Sequence, residues 1–137
     1  MRCALAACAQ SLIRDADSNT VSLVSLIEEF NVPGLPGVLA SLNTLFILDR
    51  DEGDDDRNEM VLRISNENQP PYQEFPVTVD FEGKNRTRAV IRMGGLPINS
   101  PGKLRIGIAF QDAEDLLGWW DISVMVTGPP IVVNQTV

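Results

Sequence analysis

Lys103-Leu104-Arg105-Ile106-Gly107-Ile108-Ala109-Phe110-Gln111 is the stretch that decides the fold. Leu104, Ile106, Ile108 and Phe110 take every second place, against Lys103, Arg105, Gly107, Ala109 and Gln111. A period of two sends alternate side chains to opposite faces, so the stretch reads as a half-buried β-strand. The pattern recurs outward in both directions. Met60, Leu62 and Ile64 oppose Glu59, Val61 and Arg63; Phe75, Val77, Val79 and Phe81 oppose Glu74, Thr78 and Asp80. Ala89, Ile91 and Met93 face Arg88, Val90 and Arg92, and Trp120, Ile122, Val124 and Val126 oppose Trp119, Asp121, Ser123, Met125 and Thr127.

Three further runs, residues 3–12, 21–30 and 38–48, are apolar on both faces and read as central strands covered on both sides. The second also fits helical spacing at Leu23, Leu26, Ile27 and Phe30. A ten-residue helix is marginal on its own, and Val21, Leu23 and Val24 favour a strand if a bulge shifts the phase. Turn chemistry separates the runs: Asp15-Ala16-Asp17-Ser18-Asn19, Pro33-Gly34-Leu35-Pro36-Gly37, Pro70-Pro71, Glu82-Gly83-Lys84-Asn85 and Ser100-Pro101-Gly102. Pro76 inside a strand pattern predicts an edge strand or a bulge, because proline has no N–H to give a ladder. The expectation is an all-β chain: one antiparallel, immunoglobulin-like β-sandwich of about eight strands. Its expected core is Leu62, Ile64, Val77, Val79, Ile91, Leu104, Ile106, Ile108, Trp120, Ile122 and Val124.

The length of 137 residues suits one domain, read as residues 1–127 with an extended tail at 128–137. Eleven Lys and Arg stand against nineteen Asp and Glu, a formal charge of −8 that argues against nucleic acid and anionic membrane surfaces as partners. No histidine is present, which removes the commonest general base and the imidazole metal ligand. Cys3 and Cys8, five residues apart on one strand, would lie roughly 17 Å apart and point to opposite faces. That is beyond the reach of a disulfide, and two free thiols suit a reducing cytoplasm. Leu5-Ala6-Ala7-Cys8 matches a lipoprotein cleavage pattern, but the seven residues before Cys8 hold no apolar stretch of signal-peptide length.

Six acidic groups fall within Asp49-Arg50-Asp51-Glu52-Gly53-Asp54-Asp55-Asp56. This run reads as a solvated hairpin tip whose charges discourage edge-to-edge association. Asp49, Asp51 and Asp54 are its candidate ligands for a hard divalent cation. The run does not follow the EF-hand pattern, since Gly53 and Met60 stand where ligands are needed. Lys84, Arg86, Arg88 and Arg92 make a basic stripe expected to pair with acids on neighbouring strands. Trp119, on the face opposite Trp120, is expected to join Leu117 and Met125 in an exposed apolar strip. The β-prone Ile131-Val132-Val133 of the tail is a candidate for strand addition. No P-loop, dinucleotide fingerprint or Cys–His pair occurs, so no catalytic residue and no cofactor is expected.

Three elements carry a family resemblance. They are Cys3-Ala4-Leu5-Ala6 leading through residues 15–19 to Val21-Ser22-Leu23-Val24-Ser25-Leu26, then Phe30-Asn31-Val32-Pro33-Gly34-Leu35-Pro36, then Phe75-Pro76-Val77 with Gly94-Gly95-Leu96. Over residues 3–127 the chain resembles a family of short bacterial and archaeal proteins of immunoglobulin-like β-sandwich fold and no assigned activity. The resemblance implies the sandwich, favours strand over helix at 21–30, and transfers no site residue. The expected function is a non-enzymatic interaction or structural module that associates with a protein partner or with itself as a homo-oligomer. The interface would comprise Leu117, Trp119, Met125, Ile131, Val132 and Val133. The alternative is a small-ligand or divalent-cation binder using the acidic tip.

Overall fold

The computed structural model describes residues 1–67 and 69–127, and these form nine strands and no helix. β1 (Arg2–Arg14), β2 (Val21–Leu26), β4 (Gly37–Asp49) and β7 (Arg86–Ile98) make one sheet in the order β2-β1-β4-β7. β3 (Glu29–Val32), β5 (Arg57–Asn66), β6 (Gln69–Asp80), β8 (Gly102–Phe110) and β9 (Gly118–Val126) make the other, in the order β3-β9-β8-β5-β6. All pairings are antiparallel except β3 with β9. Among the described residues no helix is long and apolar enough to cross a membrane.

Both sheets feed one core. Cys8, Leu42, Phe46 and Leu48 come from the four-stranded sheet and meet Leu62, Ile106, Ile108 and Ile122 from the five-stranded one. The alternating strands bury most of the residues their period selects, while Phe75, Phe110 and Val126 of the same sets are exposed. Of the expected core, Val77, Ile91 and Trp120 are half-buried and packed against this cluster, and the others are buried. Pro76 lies on β6, an edge strand, opposite Val61, where its missing N–H faces no further strand. Gly83 holds φ +77°, the left-handed turn its sequence context predicts.

Several expectations are corrected. The run 21–30 is not one bulged strand but two strands in different sheets. Ser25 within β2 takes a left-handed backbone (φ +60°), and after β2 the chain steps across at Ile27 and Glu28 and continues as β3 beside β9. The step is fixed by hydrogen bonds on both sides: Ile27 N–H donates to the Cys8 carbonyl, and the Glu28 carbonyl accepts from Ser123 N–H. The acidic run is not a hairpin tip, because β4 and β5 belong to different sheets and residues 50–56 cross between them. Pro70 and Pro71 lie within β6 but at the irregularity of its ladder, where the register shifts between the Ile64–Gln73 and Asn66–Gln69 pairs. β1 and β4 are central in their sheet and, as expected, are buried on both faces at their middles, Ala7–Ala9 and Leu42–Phe46.

Candidate interaction surface

The outer face of the four-stranded sheet is built by register. Ala9 stands opposite Leu26 and Ser11 opposite Val24, while Ala7 meets Leu45, which meets Val90 on β7. Leu5 pairs with Ile47 after a bulge following Cys3 that keeps Cys3 toward the core and Leu5 outward. Leu5, Ile13, Val24, Leu26 and Val90 therefore share one face, each between 40% and 57% exposed. Between them Ala7, Ala9 and Leu45 are buried, so the exposed aliphatic side chains surround a centre already covered within the chain. Arg88 and Arg92 border it on β7, where Arg88 donates to the Asn19 side chain and backbone carbonyl.

The outer face of the five-stranded sheet is differently built. Arg63, only 7% exposed, donates to the carbonyls of Ala113 and Glu114 and to the Glu74 carboxylate, with Tyr72 stacked against its guanidinium at 4.7 Å. The β8–β9 loop is thereby folded over this face, and Leu116 sits against Gly107, where a Cβ would come within 2.6 Å of it. Trp119 is 46% exposed, but the Arg105 guanidinium, itself paired with Asp121, lies 4.7 Å from its ring. Asp121 and Ser123 separate Trp119 from Met125 along the same face. Leu117 precedes β9 and packs against the core instead. The expected Trp119 strip is thus not continuous: one member is turned inward, and another is covered by a cation. Ile131, Val132 and Val133 lie outside the described residues.

At the end of the molecule bearing residues 50–56, the carboxylates already have partners. Asp49 accepts from Arg86 at 2.6 and 3.0 Å and from Arg2 at 3.1 Å, and these guanidiniums hold its carboxyl down to about 2. Asp51 and Asp54 each lie 2.7 Å from the Met1 ammonium, and Asp56 accepts from Arg50 at 2.8 Å. Among the described residues no three His, Cys, Asp or Glu side chains gather in a way that could hold a metal ion. Both thiols are free; Cys8 is buried beside the Thr44 hydroxyl at 3.3 Å, and burial pushes it up to about 11.

The outer face of the four-stranded sheet was half legible: runs 3–12 and 38–48 show a second greasy side, buried at its middle, but nothing in one sequence says which of its residues stay exposed. Compared with protein-family models, with curated proteins and with solved structures, the chain matches none.

Proposed function

We propose that this chain is a non-enzymatic interaction module, an immunoglobulin-like β-sandwich that associates with a second copy of itself through the outer face of its four-stranded sheet. One observation carries the reading: five large aliphatic side chains, Leu5, Ile13, Val24, Leu26 and Val90, stand 40–57% exposed on the strands of the four-stranded sheet. Apolar surface left in water is unfavourable by roughly 25 cal/mol for each Å² that a partner could cover, and exposed side chains that adjoin one another mark interfaces. The resemblance to short prokaryotic sandwich proteins and the two free thiols agree with a cytoplasmic setting. The cation-binding alternative has less support, since Asp49, Asp51 and Asp54 already face ammonium or guanidinium groups.

The test is the mass in solution of the native chain and of Leu26→Glu, measured by light scattering over a range of concentrations. Leu26 is half exposed and outside the core, so the variant keeps its fold, verified by circular dichroism. The expected result is association of the native chain and at least a tenfold weakening in the variant (about 1.4 kcal/mol or more). A variant that associates as tightly as the native chain would overturn the reading.

A further inference from the structure

The two sheets part company along one side. β6 and β7 are both edge strands, and between them lies a cavity of about 560 Å³. Its floor is apolar, with Leu62, Val77, Ile91, Met93 and Leu96 contributing, and the exposed Phe75 stands at its lip. Its wall is unusual in using eight consecutive residues of β7, 90–97, rather than alternate ones. Consecutive residues line a groove only where the backbone itself is presented. Beyond β4, the backbone of β7 pairs with no other strand among the described residues. A free ladder above a greasy floor is the requirement for adding an extended strand: main-chain hydrogen bonds on one side, alternate side chains downward.

The sequence contains a segment suited to it. Residues 128–137, Gly-Pro-Pro-Ile-Val-Val-Asn-Gln-Thr-Val, carry no charged side chain, and Ile131, Val133 and Val137 share one parity. A second β7 is a poorer occupant. Antiparallel pairing centred on Val90 sets Arg88 opposite Arg92, and pairing centred on Arg92 sets that residue against its own copy; like charges opposed in this way are destabilising.

Reach decides whose tail can enter. Phe75 pairs with Leu62, Leu62 with Ile108, and Ile108 with Gly118, so Phe75 is level with Gly118 on β9. Thr127 lies nine residues past Gly118, or roughly 30 Å along the strand direction. β6 is also three strands away from β9, a further displacement of roughly 14 Å sideways. The straight path is then roughly 33 Å, and ten residues fully extended span only about 33–36 Å. Even to Gln73 at the near end of the groove, level with Trp120, the path is roughly 27 Å, so segment 131–137 would be spent mostly on the journey to its own groove.

We propose that the β6–β7 groove receives segment 131–137 of a second copy as an added strand pairing with β7. This rests on the self-association reading but uses a different surface. Its test is made in the Leu26→Glu background, which silences the outer face of the four-stranded sheet. A synthetic peptide of residues 128–137 is titrated into the chain lacking them, and binding is followed by calorimetry. Saturable binding is expected, weakened at least about tenfold by Phe75→Glu at the groove lip. A second measurement avoids the peptide: the Phe75→Glu full chain donates a tail but has a blocked groove, and the truncated chain offers the reverse. Each alone is expected to be a monomer, and their mixture a dimer by light scattering. No peptide binding, binding indifferent to Phe75→Glu in a folded variant, or a mixture that stays monomeric would each overturn the proposal. Failure here with retained Leu26-dependent association would leave the outer face of the four-stranded sheet standing.

Discussion

Asp49 shows how a strand end is tied down by charge at a single position. It sits opposite Arg2 on β1 and Arg86 on β7, so three neighbouring strands meet in one cation–anion–cation row. Two guanidiniums favour the ionised carboxylate and lower its value from 3.8 to about 2. A group held below its unfolded value contributes stability that is complete above the unfolded value and is lost as pH falls through the folded one. Asp49 therefore acts fully at neutral pH and stops contributing between pH 3.8 and about 2. Replacement by Asn removes that titration. In urea melts at a series of pH values, the gap in stability between the native chain and Asp49→Asn is expected to be constant near neutrality. It should close as pH drops below about 4. A gap independent of pH down to 2 would show that the row is not ionic in origin.

At the scale of elements, the switch of the chain from β2 to β3 is the step that ties the two sheets together on their other side. The Ile27 carbonyl accepts a hydrogen bond from the Trp120 indole N–H at 2.7 Å, while Ile27 N–H is spent on Cys8. Removing the indole donor leaves a partly buried carbonyl unpaired, which costs about 1–3 kcal/mol. Trp120→Phe is accordingly expected to lower stability by about that amount and to quicken amide exchange in β3 more than in β5. Equal effects on both strands would mean that only core volume had been lost. This switch also marks where the sequence stops being readable. Alternation at residues 103–111 names a strand because its cause is local: every second side chain is hidden. The split of 21–30, the crossing at 50–56 and the inward turn of Leu117 depend on which strand lies alongside, a long-range choice that leaves no periodic trace. Apolar residues on both faces of 3–12 were visible; whether water or a partner meets Leu5 was not.

For the whole molecule, the two proposed surfaces differ in the symmetry they impose. The outer face of the four-stranded sheet meets its own copy, an isologous contact that closes at two subunits. The groove meets a different part of the next chain, a heterologous contact that continues into a ring or a filament unless two copies exchange tails reciprocally. Acting together, isologous and heterologous contacts link dimers into larger assemblies, and each can be removed separately. With residues 128–137 deleted, the native face alone is expected to give a dimer whose mass does not grow with concentration beyond twice that of the chain. With Leu26→Glu and the tail retained, the groove alone is expected to give a reciprocal dimer or an open series whose mean mass rises with concentration. Analytical ultracentrifugation of the four combinations separates these cases, and the double variant should sediment as a monomer. A net charge of −8 makes the copies repel at low salt, so association through either apolar surface should strengthen as salt screens them over roughly 8–10 Å. Weakening with salt would instead point to an interface held by the Arg88 and Arg92 border, and would displace the apolar face as the cause of assembly.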